Sequence, residues 1–169
     1  FWEHWYAPLQ ESVPALRDVD FDTFVRAINR AEPGLIRVDA DETTYSLHII
    51  LRFELEQELV EGTVALEDLP EIWNVRMKEF LGVDVPHDGD GVLQDVHWSG
   101  GGIGYFPTYT IGNLYGAALL RRVQADVPEL WAAVGRGEMA PILGWLRANV
   151  HAHGRRYTAA ELVTRKWAK

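Results

Sequence analysis

Leu47, Leu51, Leu55 and Leu59 fall four apart, with Ile49, Ile50, Phe53 and Val60 beside them. That spacing predicts a deeply buried helix with a wide apolar face over about four turns. The polar positions His48, Arg52 and Glu56 are four apart as well, so they form one stripe that either lines a cavity or makes pairs along the helix. Phe21, Phe24 and Ile28 recur at helical spacing behind the capping residue Asp20 and before Pro33-Gly34, which predicts a helix over 21–30. From Asp68 a cap, an early proline and Glu71 predict a helix that runs to Leu81 and stops at Gly82. Periodicity returns around Tyr109, with Ile111, Leu114, Ala118 and Leu119 on one face. Gly112 and Gly116 on another face would let a neighbouring backbone come close. Further helices are expected at 127–135 and 139–153, and Thr158 with Glu161 forms a capping box for a last one through Lys166. GLIRVDA, residues 34–40, is the only fair strand candidate. The class is therefore all-α, with at most a short extended segment near 34–40.

Size and charge narrow this further. The chain has 169 residues, 47% of them hydrophobic, enough for one core and too few for two full domains. We read residues 1–169 as a single piece of a larger catalytic domain. A net charge of -9 disfavours nucleic-acid binding, whose electrostatic drive needs an excess of Lys and Arg. With no cysteine there is no disulfide, thiolate site or cysteine nucleophile, and a reducing, cytoplasmic setting is the default. No apolar run is long enough to span a bilayer, and FWEHWYAPLQ is unlike a signal peptide. Neither nucleic acid nor membrane is an expected partner. Phe1, Trp2, Trp5 and Tyr6 would form a sticky patch at a free terminus, so we expect them to pack against something and the start to be a cut through a longer chain.

Candidate chemistry concentrates in two places. Seven of the 15 glycines (Gly82, Gly89, Gly91, Gly100, Gly101, Gly102 and Gly104) lie among Gln94, Asp95, His97, Trp98 and Tyr105, with Tyr109 just after. Glycines allow backbone conformations closed to other residues and close approach by a ligand. The plain reading is a knotted loop whose Gln94, Asp95 and His97 satisfy one another under an aromatic lid; the alternative is a binding loop. The other place is Ile36 to Asp41, IRVDAD, where Asp39 or Asp41 can cap the leucine-rich helix. Arg37 is either paired with Asp39, Asp41 or another acid, or poised for a ligand carboxylate, which a guanidinium grips with two bonds. His151 and His153 read as polar side chains at a helix C-terminus, favoured there by the helix dipole. There is no H-E-x-x-H, no G-x-S-x-G and no phosphate loop ending in Lys-Ser or Lys-Thr. No metal ligands are assigned in this chain.

Ile36-Arg37-Val38-Asp39-Ala40-Asp41 matches I-R-x-x-A-D, and Gly91-Val92-Leu93-Gln94-Asp95-Val96-His97-Trp98 matches G-x-x-Q-D-x-H-W. Together they resemble the carboxypeptidase Taq family of metal-dependent carboxypeptidases. The resemblance continues in order through ADETTYSLHIILRFELE, DVHWSGG, GYFPTY and HGRRYTAAELV. It implies a mostly helical protein, usually a homodimer, that removes C-terminal residues from peptides bearing a free carboxylate. It also implies zinc, replaceable by cobalt or manganese, held by two histidines of H-E-x-x-H and a downstream glutamate. In this sequence those ligands would precede Phe1, so the chain resembles roughly the last third of the enzyme, and none of the metal is expected on this chain alone.

By the same resemblance, Tyr109 and Tyr105 are the candidates for donating to the oxyanion of a metal-assisted peptide hydrolysis. Arg37, then Arg52, are candidates for the substrate carboxylate, with Asp39, Asp41, Gln94, Asp95 and His97 positioning Arg37 and the loop as much as touching substrate. The alternative is a free-standing helical binding or dimerisation module without the chemistry. Whether the gene runs in frame upstream through H-E-x-x-H separates the two.

Overall fold

The computed structural model describes residues 1–166. The described residues are helical with no strand. They comprise α1 (Trp2–Ser12), α2 (Phe21–Ile28), α3 (Tyr45–Glu61), α4 (Leu69–Leu81), α5 (Pro107–Asp126), α6 (Leu130–Gly135), α7 (Ala140–Asn149) and α8 (Ala159–Lys166). Short 3-10 turns occupy Pro14–Leu16, Arg37–Asp39 and His151–His153. No helix among the described residues is long and apolar enough to cross a membrane.

The chain divides into two compact units, one of residues 1–28 with 113 onward and one of residues 29–112; the boundary falls inside α5. The second unit carries both motifs. Its core is built by the leucine stripe of α3 meeting the four-apart positions of α4: Leu51, Leu55, Leu69, Trp73, Met77 and Leu81 are all buried together. Leu47, Leu59, Val92 and Trp98 pack on that cluster from outside. The other edge of α3 is less covered than its pattern suggests. Ile49 is buried, but Ile50 and Phe53 are about 40% exposed and line a shallow apolar cleft with Pro107 and Ile111.

In the first unit, Tyr6 is buried against Phe21 and Phe24, and its hydroxyl donates to the Val19 carbonyl at 2.7 Å. Trp2 stands edge-on to Phe24, so half of the N-terminal aromatic cluster is packed within the unit, whereas Phe1 and Trp5 remain exposed. α6 lies against both α1 and α7.

Helix ends show which local signals operate. Asp20 accepts from the Thr23 amide at 2.9 Å, and Thr158 and Glu161 make their reciprocal box. Asp68 makes no side-chain cap, because its backbone already has helical angles (φ -89°, ψ -11°), whereas a capping side chain works from extended ones. The helix starts there with Pro70 in its first turn and ends as expected at Gly82, in the left-handed region. The segment expected over 139–153 is helical only to Asn149; Val150 leaves helical geometry and His151–His153 form a separate turn. The extended stretch at 34–40 survives only at Ile36 and Ala40, with Arg37–Asp39 coiled tightly between them. With no neighbouring strand to accept its backbone bonds, the segment turns on itself, the Ala40 amide donating back to the Arg37 carbonyl. No backbone approaches Gly112 or Gly116: a methyl group at either would meet nothing within 4 Å.

Candidate functional site

The two motifs meet in the second unit on the flank of α3. Gln94 makes the join. Its amide oxygen accepts from the Arg37 backbone N–H at 2.9 Å, and its amide nitrogen donates to the carbonyls of Leu35 (3.1 Å) and Asp90 (3.0 Å). One side chain thereby satisfies three backbone groups, holding the Arg37–Asp39 turn against the glycine-rich loop.

Asp95, the next residue, binds two guanidinium groups. Arg37 donates from Nε and Nη2 to Oδ1 at 3.1 and 2.7 Å, while Arg52 donates from Nε to Oδ2 at 2.7 Å. The side chains of Arg37, Arg52 and Asp95 are only 8%, 0% and 11% exposed, so this is an enclosed cluster rather than a surface pair. Burial pushes the Asp95 carboxyl upward, but the Arg37 hydrogen bond and the Arg52 charge outweigh it and hold the group below its usual range. Arg37 is shifted up: burial opposes its charge, and the bonds to Asp95 and Tyr45 win. Arg52 goes the other way, to about 10, because its complete enclosure outweighs what Asp95 returns and Arg37 adds repulsion. Both stay cationic near neutral pH.

Further donors fit around this cluster. Arg37 Nη1 donates to the Tyr45 hydroxyl at 3.1 Å, and its guanidinium lies 4.9 Å from the Tyr109 ring centre. Arg52 Nη1 donates to the His48 carbonyl, and its guanidinium lies 4.6 Å from the Trp73 ring centre. Glu56, one turn further along α3, accepts from Trp98 Nε1 at 3.0 Å. The stripe His48, Arg52 and Glu56 is thus buried, and Arg52 and Glu56 hold the loop to the helix through Asp95 and Trp98. Neither ring nitrogen of His48 makes a hydrogen bond that satisfies it; burial first, then the charges of Arg52 and Arg37, lower its pKa to about 4, with the Asp95 charge and then the Gly34 backbone offsetting this only in part.

His97 Nε2 lies 2.9 Å from the Tyr109 hydroxyl, its ring against Phe106 and tilted toward Tyr105. Tyr105 is half exposed and meets Tyr109 edge-on at 5.4 Å. The loop's glycines permit this convergence. Gly101 has φ +77°, and a methyl group on Gly102 would sit 3.0 Å from the His97 carbonyl oxygen, to which the Gly102 amide donates at 2.6 Å.

The structure thus brings together Arg37, Arg52, Gln94, Asp95, His97, Tyr105 and Tyr109. It leaves out Asp39, which is exposed and makes no side-chain bond among the described residues. Asp41 works locally, accepting from the amides of Glu32, Thr43 and Thr44, which lower its pKa to about 2. The acid that partners Arg37 is therefore Asp95 rather than either acid of its own motif. Tyr45 and Trp73 also belong to the site; both sit on helical faces that read as ordinary core. Among the described residues no three His, Asp or Glu side chains converge closely enough to hold a metal ion.

The family profile described as Carboxypeptidase Taq (M32) metallopeptidase matches residues 1–168. The chain belongs to the carboxypeptidase Taq family. It is 47% identical over 165 residues to Thermostable carboxypeptidase 1 of Thermus thermophilus, covering 98% of this chain and 32% of that one. It is 45% identical over 164 residues to Carboxypeptidase 1 of Bacillus subtilis, covering 96% and 33%. It superposes on the crystal structure of the M32 carboxypeptidase from Deinococcus radiodurans R1 with a TM-score of 0.90 at 42% identity, covering 99% of this chain and 34% of that one. The chain spans about a third of the length of the curated relatives it matches. Membership of the carboxypeptidase Taq family implies a divalent metal, and the described residues do not themselves form a site for one.

Two outcomes follow from this geometry. Asp95→Asn strands two enclosed guanidiniums without a counter-charge and should cost about 3–5 kcal/mol of unfolding free energy, against no more than about 0.5 kcal/mol for Asp39→Asn, as read by denaturant unfolding. His48 is held neutral when folded, so the unfolded chain takes up more protons between its ordinary value near 6.5 and about 4. The His48 contribution should therefore be fully present above pH 6.5 and fall by roughly 2–3 kcal/mol on acidification toward pH 4, a slope that His48→Gln should flatten. Below about pH 4, protonation of Asp95 and Asp41, both held under their usual range, continues the loss.

Proposed function

We propose that this chain is the substrate-side portion of a carboxypeptidase that releases C-terminal residues from peptides. The observation that carries the reading is the charge of the Arg37–Arg52–Asp95 cluster. Two guanidiniums share one carboxylate, and no other acid bonds to either among the described residues. One positive charge is left over in an enclosed setting, where an arriving carboxylate interacts strongly. In this reading Arg37 is the group that meets it. Of its five N–H donors, Asp95 and Tyr45 take three, which leaves one on each terminal nitrogen.

Arg52 has no exposed surface, so in this reading it supports Arg37 through Asp95 instead of touching the peptide. Gln94 and Asp95 fix the angle of Arg37; Asp41 fixes the start of α3, and Asp39 has a minor part. Tyr109, whose ring lies beside the Arg37 guanidinium, and Tyr105 next to it are the phenols assigned to the chemistry in this reading, a role their nearness to Arg37 supports. Their role is to donate to the oxyanion as the peptide bond is attacked. The divalent metal, zinc in this reading with cobalt or manganese as substitutes, is held by the part of the family fold that this chain does not span, and the intact enzyme is a homodimer. A cytoplasmic setting belongs to the same reading.

Arg37→Ala in the intact enzyme should depress kcat/KM for free-carboxylate peptides by at least about tenfold more than for their C-terminal amides, because a charge-assisted bond contributes on the order of 1.5–3 kcal/mol. Equal losses on both substrates would reduce Arg37 to a structural residue. Tyr109→Phe should lower kcat about 100- to 1,000-fold with KM little changed. A change confined to KM would make the phenol a substrate contact and remove it from the chemistry.

A further inference from the structure

His97 stands between the charged cluster and the phenol, and its two ring nitrogens meet different partners. Nε2 is 2.9 Å from the Tyr109 hydroxyl. Nδ1 is buried without a hydrogen bond and faces Asp95 Oδ1 at 3.6 Å. If Nδ1 carried a lone pair, that lone pair would point at a carboxylate oxygen in an enclosed site, which is electrostatically unfavourable. A proton on Nδ1 turns the same contact into an attraction. Nε2 is then the bare nitrogen, and the Tyr109 O–H must donate to it.

We infer that His97 switches Tyr109: held by Asp95 with its proton on Nδ1, it keeps the phenol proton turned inward, and it releases that proton when a substrate carboxylate beside Arg37 lets it become an imidazolium. The inference rests on the function proposed above. In proton terms, His97 takes up one H⁺ at Nε2 from the buffered solvent, so that binding of the carboxylate is accompanied by net uptake of one proton. The new Nε2–H donates to the Tyr109 oxygen, the existing hydrogen bond reverses, and the phenol O–H is free to donate outward. No other bond is made or broken.

The groups facing His97 explain why a carboxylate throws the switch. On its own loop it sees Asp95, and from the start of α5 and the residues before it, Tyr105 and Tyr109. Behind Asp95 stand Arg37 from the turn and Arg52 with the neutral His48 from α3. Two guanidiniums already share the carboxylate that His97 faces, so the cluster carries a surplus positive charge. A carboxylate on Arg37 cancels that surplus. An amidated C-terminus does not, so Tyr109 becomes a donor only when the right kind of chain end is bound. His97 is thus a positioning residue that links recognition of the terminus to the chemistry.

The test is 15N NMR of the histidine rings in the intact, metal-loaded enzyme, with the His97 signals identified by their loss in His97→Gln. Without ligand, Nδ1 should give a protonated-type resonance and Nε2 an unprotonated one, and Tyr109→Phe should move Nε2 further downfield as it loses its donor. That second shift also identifies His97 if the glutamine variant fails to fold. N-acetylphenylalanine, at a concentration that inhibits turnover, should convert both nitrogens to imidazolium-type resonances; N-acetylphenylalaninamide should not. A proton on Nε2 in the unliganded neutral ring, or no change on adding the acid, overturns the inference. If the resonances behave as expected while Tyr109→Phe turns over normally, the switch stands and the oxyanion role of Tyr109 falls. A slow Tyr109→Phe enzyme with the opposite tautomer removes the switch and leaves that role intact.

Discussion

Asp95 is the single anion on which the motif-bearing unit depends. Its two oxygens are divided between Arg37, from a turn preceding α3, and Arg52, from the second turn of α3 itself. Enclosing charge in a protein is costly unless it is paired and its remaining donors are satisfied. That condition accounts for much of what surrounds the cluster. Tyr45 takes a donor from Arg37, the His48 carbonyl takes one from Arg52, and the faces of Tyr109 and Trp73 lie beside the two guanidiniums. The opposite shifts of the two arginines express how unequally they are enclosed.

Two cations on one carboxylate is also an unfinished balance. An arrangement chosen only for stability would supply a second acid, and the stripe on α3 had one available in Glu56, which is spent on the Trp98 indole instead. In the proposed reading, the remaining charge is what an arriving carboxylate would meet. Arg37 is already pinned by Gln94, Asp95 and Tyr45, so little of its side-chain freedom would remain to be lost in forming a further bond.

Much of this was legible in the chain and some was not, for physical reasons that differ by residue. The leucine ladder of α3, the Gly82 stop and the Thr158–Glu161 box are local, and local periodicity and capping chemistry describe them fully. Asp68 carried the same signature as Thr158 but sits in helical angles, which a residue pattern does not reveal. Arg37 had acids two and four residues away, yet its partner is 58 residues distant; no spacing rule reaches that far. The polar stripe of α3 was visible as a stripe, but what it would bind depended on loop residues 42 and 43 positions later. Ile50 and Phe53 are the converse: their apolarity is plain in the sequence, and their partial exposure within this unit is a property of packing alone.

The Gln94 strap has a consequence for the order in which the unit assembles. Its bonds to Arg37 and Leu35 join segments 57 and 59 residues apart, whereas α3 and α4 adjoin across a short connection. Closing a long loop costs chain entropy that is recovered only when the far contacts form. The helical hairpin can therefore nucleate on its leucine, tryptophan and methionine core while the turn and the glycine loop still wander. On that argument the cluster closes last, as a latch dropped onto a finished frame, so Arg37 would gain its geometry at the end of folding and be first to lose it when the protein begins to open.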